Sequence, residues 1–330
     1  MNKLPHIAVI GAGIAGLSCA TQLQEAGLKV SVFDKSRGPG GRMSTRRGDD
    51  WQCDHGAQYF TARDADFQAE VARWQAAGVA ALWQPRLAVL GESDPAAVDP
   101  KIDRFVGTPR MTAPARFLAE KLPLSLQATV QGLEKMGESW RLTTVEQGKL
   151  DSEFSAVLLA IPAPQAVPLL ELPAPALATL AECGLMRGCW SLMLRYDKPL
   201  DLPFDAAFVK KGPLRWVARD SSKPGRGPEE VWLLHANADW SEAHLEDVPG
   251  EVALLMLAAF AELGAPLPKI WMAQRWRYAN TEPAFDQMFA WEPQQGIGLC
   301  GDWLNSGRVE GAWTSGRALA QQVIASFGLR

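Results

Sequence analysis

This chain of 330 residues is short of cysteine and histidine, with five of the first and four of the second. Cys19, Cys53, Cys183, Cys189 and Cys300 are odd in number, and no two form C-x-x-C. That spacing argues against a zinc site, a disulfide reductase and a disulfide-stapled secreted fold. It predicts reduced thiols, a cytoplasmic setting and no bound metal. No apolar run reaches the length of a membrane span. The short one near the N-terminus, with Lys3 ahead of it, is better explained by the glycines that follow than by a leader sequence. Lys and Arg number 33 against 37 Asp and Glu, a net charge of −4, which leaves no basic footprint for nucleic acid or an anionic membrane surface. Internal repeats and low-complexity tracts are also missing. What remains is an ordinary globular mix, 47% hydrophobic and 21% charged, long enough for two domains.

Against that background two glycine motifs stand at opposite ends. Gly11-Ala12-Gly13-Ile14-Ala15-Gly16 follows the apolar strand Ile7–Ile10 and opens a helix over Ala15–Ala26, with Gly27 ending it. A second strand, Val30–Phe33, is closed by Asp34. In this strand–turn–helix–strand setting Gly11 permits the tight turn, Gly13 lets backbone approach a pyrophosphate, and Gly16 allows close helix–strand packing. The helix start at Ile14 and Ala15 supplies unpaired N–H groups and positive potential. Asp34 falls where an acid would accept the hydroxyls of an adenosine ribose.

Lys35 then leads into Gly38-Pro39-Gly40-Gly41-Arg42, a loop suited to curl over a diphosphate, with Arg42 pairing with its charge. Arg46 and Arg47 read as solvated surface charge. Near the other end, Gly301-Asp302 closes the strand Gly296–Gly301, and Glu310-Gly311-Ala312 opens a last helix, Gly311–Phe327. Asp302 would reach a ribityl hydroxyl, and the positive helix end would face a flavin edge that turns anionic on reduction. No second G-x-G-x-x-G follows a strand, so the chain has no second Rossmann unit to hold NAD(P)H. The cofactor expected is non-covalent FAD.

The remaining pattern predicts an α/β protein with two interleaved parts. A Rossmann-type FAD-binding domain with a mostly parallel sheet would take residues 1–63, 103–165 and 293–330. A smaller substrate domain, an antiparallel sheet with helices, would take 64–102 and 166–292. Asp64–Ala77 reads as a helix on the spacing of Phe67, Val71 and Trp74, and Met111–Leu122 contains a short one. Leu82–Leu90, Asp103–Val106, Leu124–Val130, Ser139–Val145 and Phe154–Ile161 read as strands. Prolines from Pro162 to Pro175 punctuate the change of domain. Beyond them Trp190–Tyr196, Ala207–Lys210, Leu214–Arg219, Val231–Asn237 and Lys269–Arg277 read as antiparallel strands, and Glu251–Leu263 as a helix.

These motifs resemble the FAD-dependent amine oxidase superfamily. Gly11–Gly16, Asp34-Lys35, Gly40-Gly41-Arg42-Met43, Gly56-Ala57-Gln58-Tyr59 and Gly301-Asp302 match as they stand. With Val231–His235 and Gln274–Arg277, the likeness runs nearly the full length and is greatest to the renalase branch. It implies that Ala57, Gln58 and Tyr59 lie beside the flavin and that backbone groups of Val130 hold the adenine. It also implies oxidation of the 2- and 6-dihydro isomers of NAD(P) by hydride transfer to flavin N5, with oxygen reduced to hydrogen peroxide. Monoamine-oxidase relatives often carry a cage tyrosine just before the Glu-Gly-Ala turn. Arg308 stands there instead, which would repel an ammonium and suit an anionic substrate.

His235 is the substrate-side histidine, sharing one strand face with Leu233 and Asn237. Trp216, Trp276 and Tyr278 are candidate walls of the substrate pocket. Loss of hydride from a dihydropyridine restores aromaticity and needs no general base, which fits a chain without an evident one. The expected partners are a dihydronicotinamide dinucleotide and oxygen; NAD and NADP forms both stay open, as does the number of subunits. Two further readings are an amine oxidase or desaturase of the same superfamily and a non-catalytic FAD-binding redox sensor.

Overall fold

The computed structural model describes residues 4–91, 102–282, 285 and 287–329. Positions 92–101 of the expected segment 64–102 lie outside the described residues. The first sheet has six strands in the order Phe289–Glu292, Ile297–Cys300, Ala156–Leu159, His6–Ile10, Lys29–Asp34 and Leu124–Leu126. All neighbours are parallel except the first pair. His6–Ile10 and Ala156–Leu159 are buried throughout, as expected of central strands covered on both faces. Each fully buried Leu, Ile or Val there contributes about 1.5–3 kcal/mol.

Helix Ile14–Glu25 follows the first strand and packs on the closing helix Val309–Ser326. The approach is so close that a side chain on Gly316 would lie 2.1 Å from the Ala15 carbonyl oxygen, and Ser18 Oγ donates to the Trp313 carbonyl at 2.9 Å. A three-stranded antiparallel sheet, Val130–Met136, Ser139–Thr144 and Gly148–Phe154, packs its Trp140 and Leu142 against the first sheet.

The second large sheet runs Ile270–Thr281, Met186–Tyr196, Glu230–Ala236, Leu214–Arg219, Ala206–Val209 and Leu87–Leu90. It is antiparallel up to the last pair, which is parallel. Helix Pro249–Ala261 covers one face, setting Val252, Met256 and Phe260 against Trp190, Leu192 and Trp232. No helix among the described residues is long and apolar enough to cross a membrane.

The α/β architecture with a mostly parallel Rossmann-type sheet is as the sequence predicts, but several elements differ. Phe289–Glu292, inside the segment 166–292 expected in the substrate domain and not foreseen as a strand, joins the first sheet by a hairpin with Ile297–Cys300. Phe105–Gly107 pairs with Ala80–Leu82, so the expected boundary near 102 divides one small ladder. The single strand foreseen over Leu82–Leu90 is two, ending in different sheets on either side of Pro85. Leu124–Val130 likewise splits at Gln127, whose φ of 52° breaks the extended run. The prolines past 162 do not mark a bare linker: Pro164 and Pro175 sit in the first turns of helices Ala163–Leu170 and Pro175–Glu182, where a missing N–H costs nothing. The closing helix starts two residues earlier than expected, at Val309.

Candidate active site

The two sheets enclose one large cavity of about 1490 Å³, and the glycine motifs line one end of it. Gly11 has a φ of +109°, and any side chain there would meet the Ala160 carbonyl oxygen at 2.4 Å. A Cβ on Gly16 would lie 1.9 Å from the Gly11 carbonyl oxygen, so this residue locks the helix to its strand. At Gly13 nothing stands within 4 Å of the place a Cβ would take, and Gly13, Ile14 and Ala15 line the cavity. The backbone is therefore bare where a pyrophosphate must come close, and the residues present fit FAD. Gly16 and Gly311 pack inside the protein instead: a Cβ on Gly311 would press on the Asn305 carbonyl oxygen at 1.9 Å.

The charged residues at this end are tied into the protein. Asp34 accepts from the N–H groups of Ala12 and Ser36 at 2.6 and 2.7 Å, which fixes its carboxylate at the cavity edge. Arg42 and Asp302, expected to bind the cofactor separately, form a bidentate pair with each other, and Arg42 also donates to the Ala279 carbonyl at 3.2 Å. Lys35 Nζ donates to Gln165 at 3.1 Å. Glu310 accepts from the N–H groups of Arg63 and Asp64 at 2.6 and 2.7 Å, so its carboxylate anchors the start of helix Ala65–Ala76. Ala57 donates its N–H to the Arg42 carbonyl at 2.9 Å. Val130 opens the free edge strand of the three-stranded sheet, and Ala312 lies in the first turn of the closing helix; both line the cavity.

Gln58 borders the cavity but turns its amide inward, donating to the Asp54 carbonyl at 2.6 Å and accepting from Lys223 at 3.3 Å. It thereby joins a buried charge cluster that sequence reading missed. Lys223 is 2.7 Å from Asp220 and 3.2 Å from Asp54, and Arg226 also bonds Asp54. All four side chains are at most 2% exposed. Burial would raise the Asp54 carboxyl, but Lys223 and Arg226 outweigh it and hold it at about 2. Burial beside the negative Asp54 pushes Asp220 up. The cluster joins the end of strand Gln52–Asp54 to the Asp220–Arg226 segment of the second sheet.

At the other end the wall is aromatic. Trp216 packs on Tyr59 and Phe208 with ring centroids 5.6 and 4.8 Å apart. Trp276 stacks on His55 at 5.0 Å and donates its indole N–H to the His55 carbonyl at 3.0 Å. His235 lies on the same wall with Nε2 at 3.2 Å from that carbonyl. A carbonyl can only accept, so Nε2 carries the hydrogen of the neutral ring. Burial pushes the His235 imidazole down to about 4, and burial with Arg46 nearby does the same to His55. His235 is thus uncharged near neutrality, as is Cys189, whose thiol burial pushes up to about 12. Arg46 is not free surface charge: it is half-buried and donates to Gln274 at 2.7 Å.

Arg308, the N-cap of the closing helix, is exposed at the cavity rim. With it, Arg63, Arg104 and Arg215 line the cavity without a carboxylate partner among the described residues. Arg104 and Arg215 carry no motif; the one signal available was that each sits in a predicted strand beside an apolar neighbour.

Family comparison agrees with this geometry. The model of the flavin containing amine oxidoreductases matches residues 101–324, and that of the NAD(P)-binding Rossmann-like domain matches residues 9–73. The chain belongs to the flavin-containing amine oxidoreductase family. Among individual relatives, an L-amino-acid oxidase of Siganus canaliculatus is 34% identical over 70 residues, which is 21% of this chain and 13% of that protein. A zeta-carotene-forming phytoene desaturase of Myxococcus xanthus is 44% identical over 51 residues, 16% of this chain and 10% of that one. The chain therefore matches only a small part of the length of these relatives. Two solved structures share the fold across nearly the whole chain. A cyclohexylamine oxidase of Brevibacterium oxydans IH-35A has a TM-score of 0.76 at 12% identity, covering 99% of this chain and 100% of that one. A putrescine oxidase has a TM-score of 0.73 at 14% identity, covering 98% and 99%.

Proposed function

We propose that the protein is a non-covalent FAD-dependent oxidase of renalase type, acting on the 2- and 6-dihydro isomers of NAD(P). The observation that carries this reading is the charge of the cavity. The three acids lining it are spoken for: Asp34 and Glu310 by backbone N–H groups, Asp302 by Arg42. Four arginines at the wall have no carboxylate partner among the described residues, although the chain as a whole carries −4. Bound FAD brings a diphosphate, and the surplus of positive charge suits a second anionic ligand and opposes an ammonium. The volume, about 1490 Å³, exceeds the roughly 300–1,000 Å³ of a single small-ligand pocket.

Gly13, Ile14, Ala15, Asp34, Lys35, Gly41, Ala57, Val130 and Ala312 would hold the FAD, whose isoalloxazine supplies the two-electron acceptor and returns those electrons to oxygen as hydrogen peroxide. Tyr59, Trp216 and Trp276 give an aromatic wall for a nicotinamide ring to pack on. Neutral His235, with Nε2–H committed to the His55 carbonyl, offers Nδ1 as an acceptor and no positive charge. Cys189, the cysteine that lines the cavity, is protonated and unreactive, which favours a dissociable cofactor.

The aromatic wall also supports a second reading, an oxidase of neutral amines or a desaturase. Anaerobic mixing with 2- or 6-dihydro-NAD(P), and separately with primary amines, distinguishes them through the rate of flavin bleaching. Dihydronicotinamides should bleach it far faster; faster bleaching by an amine reverses the order of the two readings.

A further inference from the structure

We infer that Arg104 is a specificity-determining residue that binds a phosphate oxygen of the substrate, in an anion subsite apart from the glycine cradle. The inference rests on the dinucleotide reading above.

Arg104 is 9% exposed, yet no carboxylate among the described residues pairs with it. Its Nη1 donates to the Ile102 carbonyl at 2.9 Å, its Nε is buried without an acceptor, and its Nη2 bonds to no described residue. The face of Tyr59 lies 5.6 Å from its Cζ. One carbonyl and one ring face are poor compensation for a guanidinium taken out of water. Arg226, with a side chain 2% exposed, has Asp54 against it. The Trp216 indole N–H, on the same wall, is also buried without an acceptor. Two donor-only groups around Tyr59 therefore have no acceptor among the described residues.

Position assigns this subsite to the substrate rather than to the cofactor. Arg104 accepts the Trp83 N–H on its carbonyl at 2.8 Å and leads into strand Phe105–Gly107, beside Tyr59, Trp83 and Trp216. The diphosphate cradle proposed above, Gly13, Ile14, Ala15 and Gly41, is on other elements. A dihydronicotinamide ring is uncharged, so the anionic groups that such a substrate offers are its phosphates. A planar guanidinium fork held against Tyr59 matches two oxygens of one phosphate.

The test compares holoenzyme Arg104→Gln and Arg104→Lys with wild type, by anaerobic flavin reduction with 6-dihydro-NAD and with the phosphate-free dihydronicotinamide riboside. Wild type should saturate at far lower dinucleotide than riboside. In Arg104→Gln the half-saturating dinucleotide concentration should rise about tenfold to a hundredfold, closing that gap, while the limiting rate changes much less. Arg104→Lys should recover part of the loss. Binding of NAD+, followed by the perturbed flavin absorbance, should weaken in parallel. Dinucleotide saturation unchanged in Arg104→Gln overturns the assignment and leaves the dinucleotide reading standing. Loss of FAD from both variants overturns it in favour of a cofactor role. Failure of both 2- and 6-dihydro-NAD to reduce wild type overturns the dinucleotide reading itself.

Discussion

The two ends of the cavity are built from different materials. The cofactor end is mostly backbone: a glycine turn, helix N–H groups and a strand edge, with Asp34 and Arg42–Asp302 already satisfied inside the protein. The other end, proposed above for the substrate, is made of side chains drawn from separate elements, with four arginines that have no carboxylate partner among the described residues, a neutral histidine and the rings of Tyr59, Trp216 and Trp276. Backbone recognition of a diphosphate is indifferent to most side-chain changes, which suits a part shared by a whole family. Side-chain recognition can be retuned one residue at a time, and it is there that relatives of one fold diverge in substrate.

Three substitutions and one condition put weight on this contrast. The largest effect is expected where the ends are joined. Lys223→Met strips a cation from Asp54 and Asp220 in a fully buried cluster, and urea unfolding at pH 7 should register a loss of about 3–5 kcal/mol. A loss under about 1 kcal/mol would mean that Arg226 alone carries the cluster. Next come two glycines a turn apart. Gly16→Ala should destabilise even the FAD-free protein, by about 1–3 kcal/mol or more, because its methyl meets the Gly11 carbonyl oxygen. Gly13→Ala, facing open space, should leave that stability within about 0.5 kcal/mol of wild type and weaken FAD instead. Equal melting temperatures for the two apo variants would erase the distinction between a packing glycine and a cradle glycine.

The smallest effect concerns pH. With His235 held at about 4, its imidazole is neutral throughout the physiological range. The limiting rate of flavin reduction should therefore be flat from about pH 6 to about pH 9, whereas an amine would react faster as its ammonium loses a proton. A sigmoid rise with pH in reduction by 6-dihydro-NAD would assign His235 or another group a base role. Stability runs the other way. The unfolded histidines titrate near 6.5 and the folded ones near 4, so the unfolded state binds the extra proton between these values. Melting temperature should hold above pH 6.5 and fall as pH drops towards 4.

The cofactor end was legible because its parts are local. Gly11, Gly13, Gly16 and Asp34 lie within one strand–helix–strand unit, and their spacing is dictated by the ligand. Asp302, distant in sequence, was found through its Gly-Asp signature, but its pairing with Arg42 was not, since a sequence does not say which opposite charges meet. Tyr59, Trp216, Trp276 and His235, expected around one pocket, all line the cavity. Gln58 was expected at the flavin because it follows Gly56-Ala57, yet its amide answers to Lys223, a residue 165 positions away. Arg104 and Arg215 showed only as members of predicted strands and the Asp54–Lys223 cluster was not foreseen, because tertiary packing alone leaves an ordinary strand arginine without a carboxylate or buries a loop lysine.

The Arg42–Asp302 pair spans 260 residues, and Ile297–Cys300 lies beside Ala156–Leu159, one strand away from His6–Ile10 in the first sheet. During synthesis at about 5–20 residues per second, the glycine turn emerges on the order of ten seconds to a minute before its aspartate does. Until then strand Ala156–Leu159, once made, lacks its neighbour Ile297–Cys300, and the first helix packs on its strands and on helix Ala113–Ala119 without the closing helix. On the FAD reading proposed above, a ribosome stalled short of residue 302 should carry a nascent chain that binds no flavin, because the last strand and closing helix are not yet made.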